Sequence, residues 1–353
     1  MQSIQLADYT IPIGNDFTPL NNLIEKKQYT KIVVIVDENT NEYCLPILKK
    51  ALNTPFITIQ IPAGEQHKTL QTCQLIWSKM MELNLSRRAL CINLGGGVIG
   101  DMGGFCASTF KRGMDFVQVP TTLLAQVDAS IGGKLGIDFM KVKNSIGVFN
   151  NPQMVFINPD FLKTLSKAEV RSGFAEIIKH SLIADAKEWQ RIQQMKNLDV
   201  INWLDLIEPS LQIKKQVVEE DPFEHGLRKA LNFGHTIGHA LEGYALETEN
   251  PLLHGEAIAI GMVCEAYLSH VNDQLSEQEL MEIVAFFKHT YDYWGIPLDA
   301  FEAFLGLMRN DKKNKGRDIN FSFIPKAGTV KVNQTADEEQ IRQSFYFYNE
   351  MAR

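Results

Sequence analysis

Short β-branched runs alternate with amphipathic stretches through the first half of the chain, and this alternation limits the possible folds more than any other feature. Four runs have the length and composition of buried strands: 31–36, 55–61, 89–94 and 116–119. Helical periodicity occupies 41–52 and 73–83. Strands that alternate with helices are typical of a parallel sheet covered on both faces. The sequence therefore predicts a doubly wound α/β domain over residues 1–165.

From about residue 165 the pattern becomes helical. Ser166 and Glu169 form a capping box, which starts a helix that runs through residue 184. Further helices are predicted at about 200–218, 226–244, 255–270 and 277–293. We therefore expect residues 166–353 to form a mainly α-helical domain, since a chain of 353 residues is long enough for two cores.

Composition excludes several classes of protein. The net charge of −7 argues against general binding to nucleic acid or to anionic membranes. The sequence contains no run of about 18 apolar residues and no basic, then apolar, N-terminal pattern, so we expect neither a membrane span nor a secretory signal. The five cysteines are scattered and never form a CxxC pair, which favours reduced thiols and a cytoplasmic protein.

The segment 226–244 carries a polar stripe on an otherwise apolar predicted helix. Five side chains fall within a stripe about 80° wide: Arg228, Asn232, His235, His239 and Glu242. Burying such groups is costly unless they satisfy one another or face a ligand. A self-satisfied core network is one interpretation. We favour the wall of an active site, because buried polar clusters concentrate there.

A glycine-rich segment follows the third predicted strand. Gly95, Gly96 and Gly97 come where a strand passes into a helix, so backbone amides there can approach a diphosphate. The segment lacks the GxGxxG pattern, and a tight strand-to-helix turn is the alternative. Asp37 ends the first strong strand, where a ribose-binding carboxylate is usual. Together they favour a Rossmann-like dinucleotide site.

Lysines and glycines lie close together in the stretch that begins at Thr121 and Thr122 and passes Asp128. Lys134 follows two glycines, and Lys143 precedes Asn144. Flexible glycines beside lysines suit a small anion that carries phosphate or carboxylate. The alternative is that these lysines are ordinary solvated surface residues.

Glutamate and histidine residues on several predicted helices offer a metal site. Glu176 and Lys179 share a helix face, and His254 opens another helix. One glutamate with two or three histidines can hold a catalytic zinc that keeps an open position. The residues alone do not choose among His235, His239 and His254, although the i, i+4 spacing nominates the first two.

Six segments carry a resemblance that covers nearly the whole chain. They are PAGEQHK (62–68), GGGVIGD (95–101), QVPTTLLAQVDASIGGK (118–134), GFAEIIKH (173–180), GLRKALNFGHTIGHALE (226–242) and HGEAIAIGM (254–262). In this order they resemble the 3-dehydroquinate synthase family of sugar-phosphate cyclases. That family is related in fold to glycerol dehydrogenase and the iron-containing alcohol dehydrogenases.

The resemblance implies a phosphate-eliminating carbon–oxygen lyase of the shikimate pathway. Its substrate would be 3-deoxy-D-arabino-heptulosonate 7-phosphate and its products 3-dehydroquinate and phosphate. The steps implied are transient oxidation by NAD⁺, phosphate elimination, re-reduction and an intramolecular aldol closure. The implied cofactors are NAD⁺ and a divalent metal, zinc before cobalt, and the implied assembly is a homodimer.

The same resemblance implies roles for individual residues. It makes Glu176, His235 and His254 the metal ligands. It places around NAD⁺ the residues Asp37, Glu65, Lys68, Gly96, Gly97, Val98, Gly100, Asp101, Thr121, Thr122, Lys134, Lys143, Phe161, Thr164 and Leu165. It places around the substrate Asp128, Lys134, Lys143, Asn144, Lys179, Lys214, Arg228, Asn232, His239 and one of the two lysines after Asp311, with Lys312 preferred to Lys313. Arg112 resembles an arginine that reaches into the neighbouring subunit's site.

One departure and three alternatives accompany this prediction. Val142 stands where the family has a glycine, so positive φ is costly there and the position of Lys143 is affected. A sister cyclase acting on sedoheptulose 7-phosphate or glucose 6-phosphate would differ around Arg228, Asn232 and His239. A polyol dehydrogenase would need no phosphate-binding lysines. A non-enzymatic binding protein would be expected to lack part of the metal triad.

Overall fold

The computed structural model describes residues 2–140, 142–195, 198, 201–272, 274–309 and 319–353. The chain divides into two compact units. Unit 1 comprises Met1–Ser166 and Trp203–Lys215, and unit 2 comprises Lys167–Asn202 and Gln216–Arg353. A helix suited to crossing a bilayer is absent from the described part of the chain.

A seven-stranded sheet forms the centre of unit 1. Its strands are β1 Gln2–Gln5, β2 Thr10–Ile13, β3 Ile32–Val36, β4 Ile57–Gln60, β5 Leu90–Gly95, β6 Asp115–Pro120 and β9 Met154–Val155. The order is β1-β2-β9-β6-β5-β3-β4, and every neighbouring pair is parallel except β1 with β2. On β3, next to the edge strand β4, Val34 lies opposite Ile92 on one side and Thr58 on the other.

Helices cover both faces of this sheet. They are α1 Thr18–Lys27, α2 Glu38–Tyr43, α3 Leu45–Ala51, α4 Leu70–Glu82 and α5 Gly97–Thr109. Side chains alternate across a strand, so Val33 belongs to the core cluster that includes Met102 of α5, whereas Val34 belongs to the one that includes Leu20 of α1. Burial on both faces explains why β3 is an unbroken apolar run. The predicted Rossmann-like, doubly wound fold is confirmed.

One local prediction in unit 1 is wrong, and one pair of strands was not predicted. The single helix expected over 41–52 is two helices, because Pro46 occupies the first turn of α3 and would clash inside a continuous helix. The polar stretch around Lys134 is an antiparallel hairpin, formed by β7 Lys134–Phe139 and β8 Val142–Phe149. Positive φ falls on Met140 and Asn144 rather than on Val142.

Unit 2 is mainly helical, as predicted. The remaining helices of the chain are α6 Lys167–Ala184, α7 Ala186–Gln193, α8 Leu204–Glu220, α9 His235–Ala245, α10 His254–Val271, α11 Glu277–Thr290, α12 Phe301–Arg309 and α13 Glu338–Met351. A short hairpin pairs β10 Asn320–Phe323 with β11 Lys331–Thr335. In helix α10, 13 of the 18 residues are buried, and Glu265 is the one carboxylate among them.

Candidate functional site

The predicted continuous helix over 226–244 is wrong, because the chain turns at Gly234. Residues Leu227–Asn232 form a 3₁₀ segment, and α9 begins only at His235. Gly234 has φ 79°, and a Cβ there would lie 2.4 Å from Met262 Cγ and 3.0 Å from Ile258 O. Glycine alone fits this left-handed, crowded position. Of the predicted polar stripe, His235, His239 and Glu242 still lie on one face of α9, whereas Arg228 lies before the break.

His235 presents its Nε2 atom to Glu176. Its Nδ1 lies 3.1 Å from Phe233 O, and a carbonyl can only accept, so Nδ1 carries the proton. Its Nε2 lies 3.5 Å from Glu176 Oε1. This imidazole therefore has the tautomer and the direction of a metal ligand.

His254 is held in the same way from a different helix. Its Nδ1 lies 3.2 Å from Glu242 Oε2, and its Nε2 lies 3.9 Å from Glu176 Oε1. A carboxylate behind an imidazole fixes the ring and makes Nε2 a better donor to a metal. Sequence reasoning placed Glu242 beside His239, and the structure brings it to His254.

Glu176 is fully buried, and its two oxygens have different surroundings. Oε2 is paired with the ammonium of Lys179, one helical turn away. Oε1 has no hydrogen-bond partner within the described residues. A buried carboxylate oxygen without a partner is costly unless a cation satisfies it.

The spacing of these atoms fits a small divalent cation. Ligands at about 2.1 Å in tetrahedral geometry are separated by about 3.4 Å. The distances from Glu176 Oε1 to His235 Nε2 and His254 Nε2 are 3.5 and 3.9 Å, close to that value. The donor set of one carboxylate and two imidazoles also suits zinc or cobalt.

His239 belongs to the same cluster. Its ring centroid lies 5.1 Å from that of His235 and 5.8 Å from that of His254, and ligand atoms of the three rings lie within 4.8 Å of one another. The structure thus brings together all four candidate ligands. Geometry alone allows two sets of three metal ligands. One is Glu176 with His235 and His254, and the other is the three histidines.

The polar residues before the break have partners of their own. Arg228 is buried, and its Nη1 donates to Pro222 O at 2.5 Å. Asn232 Nδ2 donates to Glu224 Oε1 at 3.0 Å. Sequence reasoning missed Glu224, whose φ of 63° is a strained backbone position of the kind found at functional sites. The one signal in the sequence that could have indicated Glu224 is its position, as a glutamate, shortly before Arg228.

In unit 1 the predicted dinucleotide residues follow the carboxyl ends of the parallel strands. Asp37 follows β3 and caps α2, where its Oδ1 accepts from Thr40 N at 2.7 Å. Gly96 follows β5, and Thr121 follows β6. In the sheet β4 lies on one side of β3, whereas β5 and then β6 lie on the other side. Ligands of such sheets bind at this reversal of strand order, here between β3 and β5.

The glycine segment forms the N-terminus of α5. Gly96 is the residue before the helix, and a Cβ on it would lie 3.0 Å from Thr122 Cγ2. Val98 lies in the first turn, whose N–H groups have no acceptor within the helix, whereas Gly100 N already donates to Gly96 O at 3.0 Å. These amides and the positive end of the helix dipole make an anion-binding surface.

The buried Lys68 contacts two other predicted residues. Lys68 Nζ lies 2.6 Å from Asp101 Oδ2 and donates to Asn144 Oδ1 at 2.7 Å. Burial by itself would lower the pKa of Lys68, but Asp101 and Glu65 outweigh it and the pKa is raised. Lys68 therefore stays cationic. Lys143 Nζ lies 3.9 Å from Glu65 Oε1, so the structure gathers these five residues.

The other predicted residues of unit 1 lie in separate short segments. Asp128 lies in the π-helical turn Ala125–Ala129, where its Oδ1 is 2.5 Å from Lys214 Nζ. Lys134 opens β7. Phe161, Thr164 and Leu165 belong to the segment after β9, where Thr164 Oγ1 donates to Phe161 O at 3.4 Å and Leu165 N to Leu162 O at 3.1 Å.

Arg112 lies in a different part of unit 1. It is exposed, has φ 66°, and lines a polar pocket of about 760 Å³. Arg87, Arg88 and the exposed ring of Phe149 line the same pocket. Lys312 and its alternative Lys313 lie outside the described residues.

Comparison with known proteins identifies the family. The model of the 3-dehydroquinate synthase N-terminal domain matches residues 58–172, and that of the C-terminal domain matches residues 173–314. A 3-dehydroquinate synthase of Parabacteroides distasonis is 40% identical over 352 residues, which cover 98% of this chain and 99% of that protein. The chain belongs to the 3-dehydroquinate synthase family.

Solved structures of two sugar-phosphate cyclases share its fold. A 2-deoxy-scyllo-inosose synthase complexed with carbaglucose-6-phosphate, NAD⁺ and Co²⁺ has a TM-score of 0.85, with 22% identity over 99% of this chain and 100% of that one. A 2-epi-5-epi-valiolone synthase from Streptomyces hygroscopicus with NAD⁺ and Zn²⁺ bound has a TM-score of 0.84, with 24% identity over 99% of each chain. At this level of identity the likeness shows a shared fold and nothing more.

Proposed function

We propose that this protein converts 3-deoxy-D-arabino-heptulosonate 7-phosphate to 3-dehydroquinate and phosphate, as a phosphate-eliminating lyase of the shikimate pathway. The observation that carries the proposal is the cluster of Glu176 Oε1, His235 Nε2 and His254 Nε2, in a chain that matches a curated member of the family over 98% of its length. A buried carboxylate oxygen that faces two oriented imidazoles is typical of a functional metal site and not of a self-satisfied core network.

Two cofactors belong to this proposal. NAD⁺ would bind unit 1 at the reversal of strand order, with Asp37 at a ribose and Gly96 and Gly97 at the diphosphate. A divalent metal, zinc or cobalt, would bind Glu176, His235 and His254. When bound, NAD⁺ carries hydride and the metal polarises an alcohol or ketone oxygen.

Residues of unit 2 would recognise the substrate's charged groups. Arg228 presents a planar guanidinium that suits a carboxylate. Its neighbour Asn232 offers an amide, which Glu224 holds in place. His239 lies one turn along α9 from His235 and would donate to a substrate hydroxyl. Lys179, now paired with Glu176, supplies a cation beside the metal.

Residues of unit 1 would bind the phosphate groups. Lys68 is buried and cationic, and Lys134 and Lys143 stand on the β7–β8 hairpin. Phosphate leaves more readily when lysines and amides stabilise its developing charge. Asp128 holds Lys214 and so fixes the direction of that ammonium.

The test follows phosphate release from the heptulosonate phosphate with purified protein, NAD⁺ and zinc. We expect release that requires NAD⁺ in catalytic amount, with no accumulation of NADH, because hydride returns to the substrate. Sedoheptulose 7-phosphate and glucose 6-phosphate serve as matched substrates without the carboxylate and should release none. Stoichiometric NADH would instead identify a dehydrogenase, and turnover of either control would identify a sister cyclase.

We further propose a homodimer in which Arg112 serves the partner's site. Three arginines and the half-exposed Phe149 line the pocket beside Arg112, a combination that suits a second copy of an acidic chain. The left-handed backbone at Arg112 is costly for a non-glycine residue, and such strain is commonly retained for function.

A further inference from the structure

Glu265 is a buried carboxylate to which sequence analysis gives no role. It lies on α10, is 0% exposed, and accepts three backbone hydrogen bonds from the start of α9. Its Oε2 accepts from Gly234 N at 2.8 Å. Its Oε1 accepts from Thr236 N at 3.1 Å and from Ile237 N at 3.2 Å.

These contacts make Glu265 the N-terminal cap of a helix to which it does not belong. The first N–H groups of any helix need acceptors, which usually come from the side chain of the capping residue. Gly234 holds that position in α9 and has no side chain. Three N–H donors and the positive end of the helix dipole compensate the buried charge of Glu265.

Close packing of the two helices makes this cap specific. A Cβ on Gly261 of α10 would lie 2.0 Å from Gly234 O, and a Cβ on Gly238 would lie 3.0 Å from Ala257 O. The backbones therefore touch beside the cap. A change in the acceptor at Glu265 cannot be absorbed by a small shift of α9, because tightly packed backbones leave no space for it.

The cap acts on the candidate metal ligands through the backbone. His235 is the first residue of α9, directly between the capped N–H groups of Gly234 and Thr236. Helix α10 carries both Glu265 and, about three turns earlier, His254. One carboxylate thus fixes where the helix of one ligand begins relative to the helix of the other.

We propose that Glu265 is a positioning residue of the metal centre. It holds His235 Nε2 in register with His254 Nε2 and Glu176 Oε1, although it touches none of the three atoms. The proposal rests on the proposed function and deepens it. The alternative is a cap that stabilises the fold alone, so the test must separate metal binding from stability.

The test compares Glu265→Gln with Asp337→Asn. The first keeps the size of the side chain but replaces one accepting oxygen by a donating amide, which opposes a backbone N–H. The second makes the same chemical change at the cap of α13, where Asp337 Oδ1 accepts from Gln340 N and no candidate ligand is near in sequence. Zinc affinity is measured by competition with a chromogenic chelator, and unfolding of the metal-free proteins is measured with urea.

We expect only Glu265→Gln to lose zinc affinity, by about 10- to 100-fold, as is common when a group behind a ligand is removed. We also expect Glu265→Gln to lose more stability than Asp337→Asn, because asparagine keeps an accepting oxygen at an N-cap. The visible absorption of the cobalt-substituted protein should also change in Glu265→Gln and not in Asp337→Asn. If Glu265→Gln does not fold, Glu265→Asp, which keeps the carboxylate on a shorter arm, should fold and bind zinc more weakly than wild type.

Wild-type zinc affinity and an unchanged cobalt spectrum in a folded Glu265 variant would overturn the positioning role and leave the metal site standing. A wild-type protein that binds neither metal would overturn both proposals. Equal loss of zinc affinity in Asp337→Asn would also overturn the positioning role, since zinc affinity would then not depend on the cap beside His235.

Discussion

Replacing Gly234 by alanine should destabilise unit 2 and separate the metal ligands. The left-handed backbone costs an L-residue about 1–2 kcal/mol. The added Cβ would lie 2.4 Å from Met262 Cγ, a contact that requires repacking. Overpacking of this kind costs about 1–3 kcal/mol. The two effects together predict a loss of about 2–5 kcal/mol in the free energy of unfolding.

The matched control is Gly306→Ala in α12 of the same unit. Gly306 lies inside the helix, and a Cβ there would meet no described atom within 4 Å. Alanine in an open helical position stabilises by about 0.5–1 kcal/mol relative to glycine. The same chemical change is therefore expected to have opposite signs at the two sites.

Urea unfolding of the metal-free proteins, followed by circular dichroism, measures both effects. We expect a lower unfolding midpoint for Gly234→Ala and a midpoint equal to or above that of wild type for Gly306→Ala, because the backbone at residue 234 is fixed by α10. Midpoints that fall equally, or a Gly234→Ala protein as stable as wild type, would refute the argument that this break in the helix is imposed by packing.

Three further outcomes are expected. His254→Ala and Glu176→Ala should lose bound zinc while His239→Ala keeps it and loses most of its turnover, as metal analysis of the purified proteins will show; a metal-free His239→Ala beside a metal-replete His254→Ala would reverse the assignment. Mixing Arg112→Ala with Glu176→Ala should restore activity in hybrid dimers, and no rescue after confirmed subunit exchange would argue against a shared site. All five cysteines are buried, and burial raises the pKa of Cys44 to about 12, so a thiol reagent should titrate none before denaturation and five after it.

The sequence predicted best those strands whose side chains are buried on both faces of the sheet. Residues such as Val33 and Val34 face opposite cores, so the apolar run of β3 reveals its position in the sheet directly. The β7–β8 hairpin was missed because β8 is mostly exposed and carries polar residues such as Lys143 and Asn144 at positions where a buried strand would be apolar. Its pattern resembles that of a loop, and only cross-strand pairing distinguishes the two.

The sequence predicted which types of residue form the candidate site, but it did not predict how they are arranged. The break at Gly234 depends on Met262, which is distant in sequence, and local periodicity cannot include such a contact. For the same reason neither Glu265 nor the orientation of His254 by Glu242 could be deduced from spacing. Choosing among the histidines requires the direction of each ring nitrogen, which tertiary hydrogen bonds determine.

The three candidate ligands come from three different helices, α6, α9 and α10, of which the last two are consecutive in the chain. An ion held by all three would act on unit 2 as a reversible crosslink that closes one long and one shorter loop. Its contribution would depend on supply, reaching about 4 kcal/mol when free metal exceeds its dissociation constant a thousandfold. The persistence of the folded helical unit would then follow metal availability, while unit 1, which contains none of the three ligands, would keep its own stability.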